Sequence, residues 1–319
     1  MRIAVIDIGT NSILLLVAET TSGGLVAVEE QATVTRLGQD VDRNRVLHPA
    51  AIARSTACLA EYARRVRQLG ATEVVVAGTS ALRDVGGAQE ISGFVEAHLK
   101  ARLRVISGHD EALLTFRGAL SGLGVNAGST PLVAFDVGGG STEIVQGVFA
   151  PEELGNPRLD CAESFDVGSV RLTERFVTTD PPSPRDLRAV TDAADAAFAL
   201  LPKLAHESPP IGIAGTVTTL AAISLGMTSY DGARVHGKTM TVTDVEHVVA
   251  HLARVPLDER KRTPGLHPGR ADIIVAGGLI VLAVLRRLGA VSMRISDRGL
   301  RWGLAAEAEA RLSDNSARC

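Results

Sequence analysis

An α/β protein of two related domains is what the sequence predicts, and three observations predict it. Short β-rich runs alternate with helix-length runs from end to end, as when helices cover sheets. At 319 residues the chain exceeds what one hydrophobic core usually holds. One strand–turn–strand pattern also occurs twice. AVIDIGTNSILLLVA at 4–18 superimposes on VAFDVGGGSTEIVQG at 133–147, setting Asp7 against Asp136 and Ser12 against Ser141.

The elements follow in order. RIAVID, SILLLVAE and LVAVEEQATVTRL read as strands, with TTSGG turning the last two into a hairpin. AAIARSTACLAEYARRVRQLG has helical spacing, a basic outer face at 63–68 and Gly70 as its stop. TEVVVAG is a buried strand, GGAQEISGFVEAHLKA a helix, LRVIS a strand and GHDEALLTFRGALSG a helix closed by glycine. LGVNAGSTP at 123–131 is the linker candidate, small and polar between regular segments. The pattern restarts with PLVAFDVGGGSTEIVQGVF, and APEELGNPRLDCAES at 150–164 reads as loop. GSVRLTERF opens a helix, and the helix of PPSPRDLRAVTDAADAAFALLPKLA is entered through prolines. IGIAG is a strand; TVTTLAAISLG, VTDVEHVVAHLARV and GRADIIVAGGLIVLAVLRRLG are helices, the last buried. VSMRIS is a strand, GLRWGLAAEAEARL a terminal helix and SDNSARC a disordered tail. The expected domains are 1–125 and 126–304, with 305–319 crossing back to the first.

Composition excludes several classes. A net charge of −3 gives no global attraction to nucleic acid or to anionic membranes, so no DNA partner is expected. Cys58, Cys161 and Cys319 are far apart and form no paired motif, which argues against a disulfide framework or a thiolate zinc site. Asp7 arrives too early for a secretory leader, and the apolar run 273–285 is too short to span a bilayer, so the expectation is a cytoplasmic protein. The apolar segment 211–226 is a candidate homodimer contact.

Three consecutive glycines between two strands need a reason, because each forfeits side-chain burial and costs backbone entropy. A bound phosphate supplies one: it wants several N–H groups aimed at one spot with no Cβ in the way. Gly138, Gly139 and Gly140 offer that, Ser141 and Thr142 add hydroxyls, and Thr10, Asn11 and Ser12 repeat the arrangement in the first copy. Asp136 and Glu143 bracket the loop with carboxylates, as expected where a divalent cation accompanies phosphate. A plain glycine turn is the bland alternative, and the second copy weighs against it.

DIGTNS, TSALRD at 79–84, SGHDEA at 107–112, DVGGGSTE at 136–143, GSVRLTE at 168–174, GIAGTVTTLA at 212–221 and SDRGLRWG at 296–303 occur in this order. Together they resemble the exopolyphosphatase/guanosine pentaphosphate phosphohydrolase family, within the sugar kinase–actin–Hsp70 superfamily. The chain is similar to a short member that lacks the family's C-terminal helical domains. The resemblance implies two ribonuclease H-like domains with an active-site cleft between them. It implies Glu111 as general base, preceded by Asp110 where the family often has Glu, and Arg83 at the phosphate. It implies Asp136 and Glu143 as acids handling Mg²⁺ (with Mn²⁺ as a substitute) and water. Arg171 matches a recurrent family arginine but stays outside the catalytic set.

The implied reaction is hydrolysis of the terminal phosphate of inorganic polyphosphate, of short chains because the additional domains are missing. The sister activity, pppGpp to ppGpp, needs the same core and stays open. A kinase or actin-like protein shares the fold, but SGHDEA belongs to the phosphatase branch. A silent phosphate sensor would not need Glu111, Asp136 and Glu143 together. His247 and His251 lie four apart, as zinc ligands can, without an evident third ligand, and read as a helix face.

Overall fold

The computed structural model describes residues 1–85, 89–123, 131–148, 158–201 and 208–317, with side chains as far as 313. The chain forms two compact units, one of Met1–Gly118 with Leu300–Cys319, the other of Ala119–Gly299. The expected division at 125/126 and most of the linker at 123–131 lie outside the described residues.

The first unit is built on a five-stranded sheet. β1 (Arg2–Ile8), β2 (Ser12–Thr21) and β3 (Gly24–Val34) form an antiparallel meander. After α1 (Val41–Asn44) and α2 (Pro49–Gln68), β4 (Glu73–Gly78) pairs parallel with β1. Then α3 (Ser80–Asp84) and α4 (Gln89–Leu99) lead to β5 (Leu103–Val105), parallel to β4, and to α5 (Gly108–Leu120). The strand order is β3-β2-β1-β4-β5. Successive side chains of a strand point to opposite faces, and β1 uses both. Ala4, Ile6 and Ile8 pack with Leu59 and Tyr62 of α2 and Ile91 and Val95 of α4, while Ile3 and Val5 join Leu114 of α5 in the opposite cluster. Asp7, with the parity of Ile3 and Val5, therefore lies on the α5 face.

The second unit repeats the opening meander with β6 (Leu132–Val137), β7 (Thr142–Val148) and β8 (Arg158–Phe165). Next come α6 (Ser169–Phe176), α7 (Pro184–Phe198), β9 (Ile211–Ile213), α8 (Ala214–Ser224), α9 (Gly232–Val235) and β10 (Thr239–Thr241). α10 (Val242–Arg254), α11 (Leu257–Arg260), α12 (Ile274–Leu288) and β11 (Ser292–Ile295) complete it. The sheet order is β10-β11-β9-β6-β7-β8, with β9 parallel to both β6 and β11. The apolar helix α12 is the centre of this core, packed against side chains of α7, α8 and α10. Among the described residues no helix is long and apolar enough to cross a membrane.

α13 (Leu300–Ala317) returns to the first unit, where Leu300, Trp302, Leu304, Ala305 and Ala308 pack on Ile3, Val5, Leu16 and Ala18. Gly303 allows a close approach to α5: a Cβ there would lie 1.9 Å from the Leu114 carbonyl oxygen.

Three expectations change. β8 occupies sequence read as loop, because an edge strand paired only to β7 shows little apolar alternation. α13 continues to Ala317, through residues read as a disordered tail. Most of the segment 211–226 is not exposed apolar surface: Ile211–Ile213 and Thr216–Ala222 are buried in the unit's own core, and only Ser224, Leu225 and Gly226 are exposed.

Candidate active site

The acidic cluster of the first unit starts at the α5 N-terminus. Ser107 caps that helix: the Asp110 N–H donates to Ser107 Oγ at 3.1 Å, and Ser107 Oγ donates back to Asp110 Oδ2 at 2.8 Å. This is a capping arrangement with the acid at the third helical position. Asp110 is thereby committed to the helix end, and Glu111 is left to face inward. Glu111 is 12% exposed, and Arg83 Nη1 of α3 donates to its Oε2 at 2.6 Å and to the Ile106 carbonyl at 3.1 Å. Burial pushes the Glu111 carboxyl above its ordinary range, against the opposing pull of Arg83. Arg83, expected at the phosphate, has Nη1 on Glu111.

Asp7 joins this acidic cluster, outside the site residues picked out from the motifs although the repeat pairs it with Asp136. Its carboxyl is buried, its Oδ1 has no hydrogen-bond partner, and its pKa is pushed up to about 7. Burial is the main cause, the Glu111 charge adds to it and Arg301 of α13 opposes it. Arg301 donates to the Leu15 carbonyl at 3.0 Å and pairs with Glu30 at 3.3 Å.

The loop between β1 and β2 is closed by the Gly9 N–H on the Ser12 carbonyl at 3.1 Å. The Thr10 carbonyl accepts from Gly38 N–H at 2.8 Å, and the Asn11 carbonyl accepts from Thr35 and Arg36 N–H at 3.1 and 2.9 Å. A trans peptide sets its N–H opposite its C=O, so the N–H groups of Asn11 and Ser12 point away from the 35–38 segment. Asn11 Oδ1 is buried without a partner, and Asn11 Nδ2 donates to Ser12 Oγ at 3.4 Å.

The glycine loop of the second unit follows the same plan. Gly138 N–H closes it on the Ser141 carbonyl at 3.0 Å. The Gly138 carbonyl accepts from Ser169 N–H at 2.9 Å, and the Gly139 carbonyl accepts from Val170 and Arg171 N–H at 2.8 and 3.1 Å. The first turn of α6 thus holds these carbonyls, and the N–H groups of Gly139 and Gly140 are turned to the other side. Gly168 makes the approach possible, since a Cβ there would lie 2.4 Å from the Gly139 carbonyl oxygen. Thr142, expected to offer its hydroxyl to phosphate, is fully buried and donates to the Val167 carbonyl at 2.6 Å. Its side chain locks the hairpin to the 165–168 turn instead.

Asp136 and Glu143 are directly paired across β6 and β7, so their side chains stand together on one face of the sheet. Glu143 is 2% exposed and accepts from Ser164 Oγ of β8 at 2.8 Å. Two neighbouring carboxylates are hard oxygen donors of the kind Mg²⁺ uses, and Mg²⁺ commonly takes one or two of them plus substrate oxygens. His247 and His251 stand on the exposed face of α10, opposite buried Val245, Val249 and Leu252. Among the described residues no group of three or more His, Cys, Asp or Glu is arranged for a metal.

These features can be compared with known proteins. The family model described as "Ppx/GppA phosphatase family" matches residues 16–312. The chain is 36% identical to Exopolyphosphatase 2 of Mycobacterium tuberculosis, over 95% of this chain and 97% of that protein. It is 29% identical to Exopolyphosphatase 1 of Mycobacterium bovis, over 95% and 87% respectively. Among solved structures, a Ppx/GppA family member from Aquifex aeolicus superimposes with a TM-score of 0.78 at 28% identity, covering 98% of each chain. An exopolyphosphatase-like protein superimposes with a TM-score of 0.88 at 32% identity, covering 98% of this chain and all of that one. The two-domain α/β fold and the motif order therefore have one source: the chain belongs to the Ppx/GppA phosphatase family.

Proposed function

We propose that the chain is an exopolyphosphatase that removes the terminal phosphate of short inorganic polyphosphate, with Mg²⁺ as cofactor. The observation that carries this reading is Glu111, a buried carboxylate turned inward by the capping of Asp110 and held by Arg83. The similarity to Exopolyphosphatase 2 supports the substrate class.

In the reaction a water oxygen attacks the terminal phosphorus, the bridging P–O bond breaks, and orthophosphate leaves a chain one unit shorter. Glu111 orients the water and takes its proton, which requires the carboxylate form. Arg83 opposes the burial that raises the Glu111 pKa, and Asp7, with its pKa pushed up to about 7, is partly neutral near neutral pH, which limits repulsion beside Glu111. The outward N–H groups at Asn11, Ser12, Gly139 and Gly140 bind phosphate oxygens, joined by the Ser141 hydroxyl. Asp136 and Glu143 would hold Mg²⁺, which when bound neutralises charge on the phosphoryl oxygens.

The test is orthophosphate release from tripolyphosphate, long-chain polyphosphate, pppGpp and ATP, each with Mg²⁺ and with excess EDTA. The expected result is metal-dependent release, fastest on tripolyphosphate. Faster turnover of pppGpp would move the assignment to the sister activity. Full activity in EDTA would remove the metal from it.

A further inference from the structure

Arg171 has no role in the reaction so far, yet it is built into the phosphate loop. Its side chain is 4% exposed, and Nε donates to the Gly140 carbonyl at 2.7 Å. Its ion pair is with Asp166, at 3.7 Å, whose side chain is 82% exposed. Burying a guanidinium is costly unless its hydrogen bonds are good ones, so the place where its charge is spent is informative. Backbone N–H groups of α6 hold the Gly138 and Gly139 carbonyls, and the third carbonyl of the loop is held by this side chain.

The consequence lies in the peptide between Gly140 and Ser141. Glycine imposes little restriction on its own dihedrals, so this peptide plane needs an external anchor. With its C=O fixed on Arg171, its N–H, which belongs to Ser141, points to the opposite side. That is the side to which the N–H groups of Gly139 and Gly140 are already turned. None of the three N–H groups is taken by a backbone carbonyl among the described residues, whereas Gly138 N–H is used within the turn.

We propose that Arg171 is a positioning residue for phosphate binding: it fixes the Gly140–Ser141 peptide so that three successive N–H groups converge on one phosphate. Its buried positive charge also lies on the carbonyl side of the loop, where it favours an anion on the other side. The proposal rests on the phosphate-binding reading above and adds a residue that touches the loop and not the substrate. Lysine is an incomplete substitute, because its single terminal amine does not reproduce the internal Nε donor.

The experiment measures orthophosphate and tripolyphosphate affinity by titration calorimetry with Mg²⁺ for wild type, Arg171→Met and Arg171→Lys, alongside kcat and KM. Loss of one charge-assisted hydrogen bond should weaken phosphate binding by about 10- to 100-fold in Arg171→Met. KM should rise by more than kcat falls, and Arg171→Lys should recover part of the loss. A folded Arg171→Met protein with wild-type phosphate affinity overturns the proposal, as does an equal kcat loss in both variants at unchanged KM. Wild type that binds no phosphate at all removes the parent reading with it, so the two failures are distinct.

Should Arg171→Met not fold, wild type still decides. In amide NMR with orthophosphate, the Gly139, Gly140 and Ser141 protons should shift downfield while Gly138 stays. Shifts absent from those three residues count against the proposal.

Discussion

Replacing Asp7 by Asn should stabilise the first unit at alkaline pH. In the folded protein the Asp7 carboxyl is raised from 3.8 to about 7, chiefly by burial and next by the Glu111 charge. The folded state therefore keeps a proton that the unfolded chain loses near the ordinary aspartate value. Where the unfolded state binds fewer protons, stability falls as pH rises. That loss begins near the unfolded pKa and is complete once pH has passed about 7. A shift of about 3 units at 1.36 kcal/mol each is about 4 kcal/mol, an upper value because the interior relaxes around a charge. Asn has the shape of the neutral acid and does not titrate, so the variant should lack this loss. The single tryptophan is Trp302, buried in the α13 cluster on the same face of the first sheet. Its fluorescence therefore reports unfolding of this unit. In metal-free urea titrations the two proteins should match near about pH 4, and Asn should be ahead by about 2–4 kcal/mol near about pH 8. A stability difference that does not grow with pH would show that Asp7 is not held neutral, and the reasoning from its burial would fall.

Glu111→Gln should lower kcat by about 10²- to 10⁴-fold and leave KM within a few-fold, because the glutamine cannot accept the proton and substrate binding rests on the loops. Steady-state kinetics on tripolyphosphate checks both numbers. In the wild type, kcat/KM should rise with pH through a Glu111 pKa that burial has raised, since the base acts deprotonated. Arg83→Gln removes the opposing pull, so the acid limb of that profile should move to higher pH; a limb that stays in place would detach Arg83 from Glu111. Gly168→Ala puts a Cβ within 2.4 Å of the Gly139 carbonyl oxygen. It should cost about 1–3 kcal/mol of stability, read by urea unfolding, and raise KM by more than it lowers kcat.

Much of the architecture was legible because it is local. Short apolar runs bounded by turn residues mark β1, β2, β6 and β7, and the repeated turn between each pair marks the candidate phosphate loops before any contact is known. The capping acid at the start of α5 can be read from SGHDE in the same way. β8 was hidden because an edge strand needs only the β7 backbone to pair, and that leaves little trace in its side chains. The duties of particular side chains were hidden for a different reason. Asp110 and Glu111 are adjacent acids in the sequence, and the fold sends one to Ser107 and the other to Arg83. Thr142 looks like a phosphate ligand until Val167 takes its hydroxyl, and Arg171 looks peripheral until Gly140 is found on its Nε.

The sequence by itself determined the strands, the paired loops and the residue types available to bind phosphate. Tertiary structure alone decided which peptide groups face away from their anchors and which carboxyl keeps its proton. Asp7 shows why: a strand's own residues set the face it points to, but its pKa comes from burial and from Glu111 and Arg301, brought beside it by α5 and α13. Charge and desolvation act through space, and a chain read in order does not contain those distances.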